Sequence, residues 1–158
     1  MASKSPDADG SGCFVCSKHL LGEEAQGGVI YQDHLLYAGH CHLLGQPDIL
    51  LGWVVVEPRR HLAELGDLSF DEASSLGVLV ARLARAVQQS EGAEHIYSYV
   101  GGDGLGAGHL HVHLIPRYRG SPPEYKGLRA TEWSGAPRGG AVEMTAVAQR
   151  IRHQLLTG

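Results

Sequence analysis

Between Gly108 and Arg117 three histidines, His109, His111 and His113, alternate with Leu110, Val112 and Leu114. Successive side chains of a strand point to opposite faces, so positions i, i+2 and i+4 share one face. The pattern predicts a strand that buries its three apolar residues on one side and lines up three imidazoles on the other. Three adjacent imidazoles make a poor core, but they suit the holding of a metal or the attack on a phosphate. A nucleophilic His must be neutral, must be oriented by a neighbour and needs donors for the oxygen that gains charge. Nothing acidic lies between Asp103 and Glu124, where a His-x-His metal centre would look for a carboxylate.

The remaining segments supply company for this strand. Residues 95–100 read as a strand, and the glycine-rich stretch 101–108 reads as the turn that brings the His strand back antiparallel. Two further strands are expected over 29–32 and 35–43, around a polar turn at Asp33 and His34. A buried strand over 53–56 stops at Pro58. Ser69 with Glu72 has the form of a capping box. Leu76, Leu79, Val80, Leu83 and Val87 follow at helical spacing, predicting a helix over 69–89. Met144, Val147, Ala148, Ile151 and Leu155 predict a second, C-terminal helix, and 119–140 reads as a long surface loop. The sum is an α+β domain, an antiparallel sheet with helices on one side.

At 158 residues the chain has the size of one domain, here 13–158 behind a polar tail, 1–12, expected to be disordered. A net charge of -4 with 19% charged residues argues against a nucleic-acid binder, which would carry a basic stripe. No apolar run approaches the ~18 residues of a membrane span. The polar start lacks the apolar stretch of an export signal, so a cytoplasmic, reducing setting is expected. There the three cysteines are metal ligands or redox groups rather than disulfides. Cys13 and Cys16, in Cys-x-x-Cys spacing, are compatible with zinc, with redox chemistry or with no ligand. His40, Cys41 and His42 form a second cluster, whose commoner reading is core or surface polarity.

The order His109-Leu110-His111-Val112-His113-Leu114-Ile115, followed by Pro116 and Arg117, resembles the signature of the histidine triad (HIT) superfamily at every position. Val54, Val55 and Val56, leading through Glu57 to Pro58-Arg59-Arg60-His61, resemble that family's apolar strand and its following turn. Cys13 and Cys16 fall where zinc-bearing bacterial members carry their pair, those resembling diadenosine polyphosphate hydrolases among them. The resemblance implies a HIT fold: an antiparallel sheet of about five strands, one long helix and a C-terminal helix, usually as a homodimer. It implies a structural Zn2+ held by Cys13, Cys16, His61 and His109. It also implies that His111 attacks the α-phosphate and that His113 orients and donates to the phosphate oxygens.

The activity so implied is a nucleotidyl hydrolase acting on a dinucleoside polyphosphate or a nucleoside phosphoramidate through a nucleotidyl-histidine intermediate. His rather than Gln at 113 favours hydrolysis over the sugar-nucleotide transferase branch. The alternatives are a nucleotidyl transferase or phosphorylase in a specialised pathway, and a catalytically weak nucleotide-binding protein.

Two departures from the family pattern carry expectations of their own. Ala107 and Gly108 run straight into His109, without the phosphate-contacting Gln of many members. Backbone N–H groups of Gly106, Ala107 and Gly108 are expected in its place, assisted by Arg117 or an arginine of 119–140. A side chain at Gly108 should therefore be more damaging than one at Gly101. Asp48 is the nearest acid for the ribose, and Trp133 is expected to cap a base, meet a second subunit or anchor its loop.

Overall fold

A computed structural model describes residues 12–43, 45–101 and 108–158. The expected tail, apart from Gly12, and the candidate phosphate contacts Gly106 and Ala107 lie outside the described residues.

The His strand, β6 (His111–Arg117), pairs antiparallel with β5 (His95–Gly101) and with β4 (Val54–Pro58). Beyond β4 lie β2 (Leu36–His40) and the edge strand β1 (Val29–Gln32), so the five strands run β1-β2-β4-β6-β5. The alternation sorts the two faces as the sequence requires. Ala38, Val56 and Val112 share one cross-strand row, and Val54 with Leu114 another; all five are buried. Against this face pack α2 (Phe70–Glu91) and α3 (Ala141–Thr157), which also touch each other.

Both helices start where their first turns say they should. Ser69 Oγ accepts from the Glu72 N–H, and the Glu72 carboxylate accepts from the Ser69 N–H, satisfying two orphan donors reciprocally. Gly92 in the left-handed region ends α2. The Glu143 carboxylate accepts from the Gly140 N–H at the start of α3. Leu76, Leu79, Leu83 and Val87 of α2 are buried, as are Met144, Val147, Ala148, Ile151 and Leu155 of α3. No helix among the described residues is long and apolar enough to cross a membrane.

Three sequence expectations are corrected. Helices are not confined to one side: α1 (Phe14–Leu21), which the apolar pattern does not announce, docks through Lys18 and His19 onto Glu57. Glu57 shares a cross-strand position with Tyr37, on the face turned away from α2 and α3. The strand expected over 35–43 spans only Leu36–His40. The expected loop 119–140 holds two 3-10 turns, Pro123–Tyr125 and Gly127–Glu132, and a short strand, β7 (Arg138–Gly139). That strand pairs with β3 (Ile49–Leu50) in a two-residue ribbon.

Candidate functional site

The N-terminal end of the His strand meets the first turn of α1 in one cluster. Cys13 caps α1, its sulfur accepting from the Cys16 N–H at 3.5 Å, and this turn brings both sulfurs to the same side. His109 Nδ1 stands 3.5 Å from Cys13 Sγ and 3.5 Å from Cys16 Sγ, and His61 Nδ1 stands 3.5 Å from Cys16 Sγ. All four ligand atoms lie within 4.8 Å of one another. A tetrahedron with Zn–S of ~2.3 Å and Zn–N of ~2.0–2.1 Å has S···N edges of about 3.5 Å. The donor set and its spacing therefore fit a closed Cys2His2 zinc site. The supporting bond also fits, because His109 Nε2–H donates to the Pro58 carbonyl at 2.8 Å and leaves Nδ1 bare for a metal. Burial and then the adjacent Cys13 push the Cys16 thiol up to about 11 when only protein groups surround it. A divalent cation reverses that balance, because a coordinating thiol is deprotonated outright.

Strand pairing begins only at His111, so the three imidazoles divide into one and two. The His109 ring contacts those of His61 and His19, whereas His111 and His113 lie edge to face with centroids 4.7 Å apart. His111 Nδ1 is 2.8 Å from the His109 carbonyl oxygen. A carbonyl only accepts, so Nδ1 carries a proton, and in the neutral form of the ring the lone pair therefore stands on Nε2. That is the state a nucleophilic imidazole needs. Burial, and next the neighbouring His111, push His113 down to about 4, so it is neutral near pH 7.

His111 and His113 line a cavity of about 370 Å³ between α1 and the sheet. Phe14, Val15 and Leu21 of α1 form an apolar wall, with Leu43 and Val55 contributed by the sheet side. The charges there neutralise each other: Glu57, 2% exposed, is 2.6 Å from Lys18 Nζ and 2.9 Å from His19 Nε2. Burial alone would raise the Glu57 carboxyl, but the His19 hydrogen bond and the Lys18 charge hold it below its usual range. His42 also lines the cavity, and its buried Nδ1 has no hydrogen-bond partner among the described residues.

Other sequence-derived candidates stand elsewhere. Asp48 pairs with Arg138 at 3.3 Å beside the β3–β7 ribbon, its side chain 58% exposed, and is not brought to the cavity. Arg117 closes the far end of β6, bound to Glu94 and to the Tyr97 hydroxyl. Trp133 packs, partly buried, against the main core from the end of a 3-10 turn. His40 and Cys41, by contrast, do line the cavity, but both ring nitrogens of His40 are engaged: Nδ1–H donates to the Cys41 carbonyl, Nε2 accepts from the Gly52 N–H, and burial pushes the ring down to about 4. The residues missed in the sequence are Trp53, Glu57, Lys18 and His19. The one available signal was an acid, Glu57, inside an otherwise apolar strand.

Gly108 has φ of 54°, and among the described residues no atom lies within 4 Å of where its Cβ would stand, so the cost that these residues impose on a side chain there is backbone strain. Gly101 is different. It pairs with His111 across the β5–β6 ladder, and a Cβ on it would sit far inside contact distance of His111 Nε2. Gly101 thus has a steric sensitivity of its own that the sequence does not announce. Because the His109 carbonyl pins the other side of the ring, Gly101→Ala must tilt the imidazole. A displacement of about 1 Å at a reacting group costs on the order of 10²-fold. We expect kcat/KM to fall by about that factor with an unchanged circular dichroism spectrum.

The comparisons with known proteins agree with this geometry. No curated protein sequence matches the chain. A family described as HIT domain matches residues 23–120, more than half of the chain. A hypothetical histidine triad nucleotide-binding protein from Sulfolobus tokodaii superposes with a TM-score of 0.66 at 21% identity, over 91% of this chain and 92% of that one. A zinc-bound histidine triad family protein from Mycobacterium smegmatis gives 0.65 at 18% identity, over 92% and 94%. A uridylyltransferase mutant gives 0.62 at 18% identity, over 91% of this chain and 47% of that one. At these identities the structural likenesses speak for the fold.

Proposed function

The chain belongs to the HIT domain family, and from that premise we propose that it is a nucleotide hydrolase acting at the α-phosphate of a dinucleoside polyphosphate or nucleoside phosphoramidate. The observation that carries this is the pair of adjacent imidazoles, His111 with Nδ1 held by the His109 carbonyl and His113 beside it, on the wall of a cavity with an apolar side. His111 Nε2 forms a bond to the α-phosphorus while the P–O or P–N bond to the leaving group breaks. Water then attacks phosphorus, the N–P bond breaks, and a nucleoside monophosphate departs with His111 restored. This splits one hard displacement into two easier ones. His113 donates to a phosphate oxygen as negative charge builds on it.

The nucleoside sits in the cavity beside Phe14, Val15 and Val55, and His42 Nδ1 supplies a polar contact there. The amide of Gly108, at the entrance to the His segment, donates to phosphate. Zinc, held by Cys13, Cys16, His61 and His109, has a structural part: it ties α1 to the segment that precedes the nucleophile. Transfer to an acceptor other than water uses the same first step and differs only in the second.

The test is intact-mass analysis after mixing the protein with a panel of dinucleoside polyphosphates, phosphoramidates and nucleotide sugars. A transient gain of one nucleoside monophosphate, followed by its release in buffer alone, is the expected result. Release only after adding an alcohol, amine or phosphate acceptor would make the protein a transferase. Neither adduct nor turnover across the panel would overturn the catalytic reading.

A further inference from the structure

Trp53 ends the tight turn before β4, and its backbone is fixed on both sides. Gly52, at φ 83°, gives its N–H to His40 Nε2, and the Trp53 carbonyl accepts from the Cys41 N–H at 2.7 Å. The indole packs against both apolar clusters that border this turn. Its one polar atom, Nε1–H, donates to His113 Nδ1 at 3.1 Å, with ring centroids 5.5 Å apart.

Indole is a donor only. A His113 ring that accepts this bond must keep a lone pair on Nδ1. A neutral ring then carries its proton on Nε2. The ring beside it is set the opposite way by an acceptor-only group, the His109 carbonyl at His111 Nδ1. As neutral rings, the two adjacent imidazoles thus differ at Nε2: one bare, one protonated. We propose that Trp53 is a positioning residue that locks His113 in the Nε2–H tautomer, so that His113 can only donate to the substrate and cannot compete with His111 as a base or nucleophile. This rests on the functional reading above, in which His111 attacks and His113 donates.

The direct test removes the donor and keeps the shape. Trp53 is replaced by benzothienylalanine, in which sulfur stands where the indole has N–H, with Trp53→Phe as a second variant. Long-range 1H–15N correlation spectra tell protonated from bare ring nitrogens, and His113 is assigned by the signals lost in His113→Asn. The parent should show His113 Nδ1 bare and Nε2 protonated. The benzothienylalanine protein should show averaged tautomers at His113, with the His111 pattern unmoved. Its kcat should fall in proportion to the Nε2–H fraction that those spectra report, about twofold for equal populations, with KM unchanged. A single Nε2–H tautomer persisting without the indole N–H would overturn the proposal, as would a tautomer shift with unchanged kcat. If the parent turns over no substrate at all, the functional reading fails on its own. The spectra then still decide whether Trp53 sets the His113 tautomer.

Discussion

His111→Ala is expected to abolish nucleotidyl transfer and to leave the folded protein nearly intact. The residue is 8% exposed and lines a cavity that already exists, so truncation enlarges that space rather than opening a new void in the core. Among the described residues its hydrogen bond is to the His109 carbonyl. We expect a melting temperature within about 5 °C of the parent, full metal content and no nucleotidyl adduct by mass. Losing a covalent catalyst should lower kcat at least ~10³-fold, or ~4 kcal/mol at ~1.4 kcal/mol per decade. Residual turnover within about tenfold of the parent would mean that His111 is not the attacking group.

Disrupting the Cys2His2 cluster is expected to cost stability and activity together. Zinc bound only by the folded state contributes its binding free energy to folding. The Cys13–Cys16 turn is one edge of an otherwise cored domain, so the expected loss is about 3–5 kcal/mol, a fall of about 10 °C in melting temperature at this chain length. Purified protein should carry about one zinc per chain, and Cys16→Ser or a strong chelator should produce the drop. Activity should fall too, because His109 offers its ring to the metal site and its carbonyl to His111 Nδ1. Full thermal stability in a demetallated protein would contradict the structural role.

Much of this was legible because local rules and tertiary needs agree. The His alternation fits β6, the capping box places the start of α2, and the 3.6-residue pattern marks the buried face of α3. The 8-residue helix α1 was not legible, since so short a helix is marginal by itself and owes its form to docking. Asp48 and Arg117 misled for a spatial reason. Each finds an opposite charge nearer than the cavity, Arg138 and Glu94 respectively, and linear proximity to the motif says nothing of that. Gly101 and Gly108 flank one glycine-rich segment, and only the β5–β6 register reveals which of them faces His111. Trp53 lies 60 positions from His113, and its indole bond exists only because β4 and β6 are neighbours.

The placement of α1 has an evolutionary consequence. The groups assigned to the chemistry sit on β6, while much of the apolar wall facing them belongs to a short helix held by the Cys turn and by the Lys18–His19–Glu57 contacts. Phe14, Val15 and Leu21 are interleaved with those anchors but are not themselves anchors. Drift at these three positions can reshape what the pocket selects without disturbing the histidine pair. A lineage built on this scaffold can therefore change its diet while keeping its teeth, and a designer can randomise the same three codons as a compact library for altered selectivity.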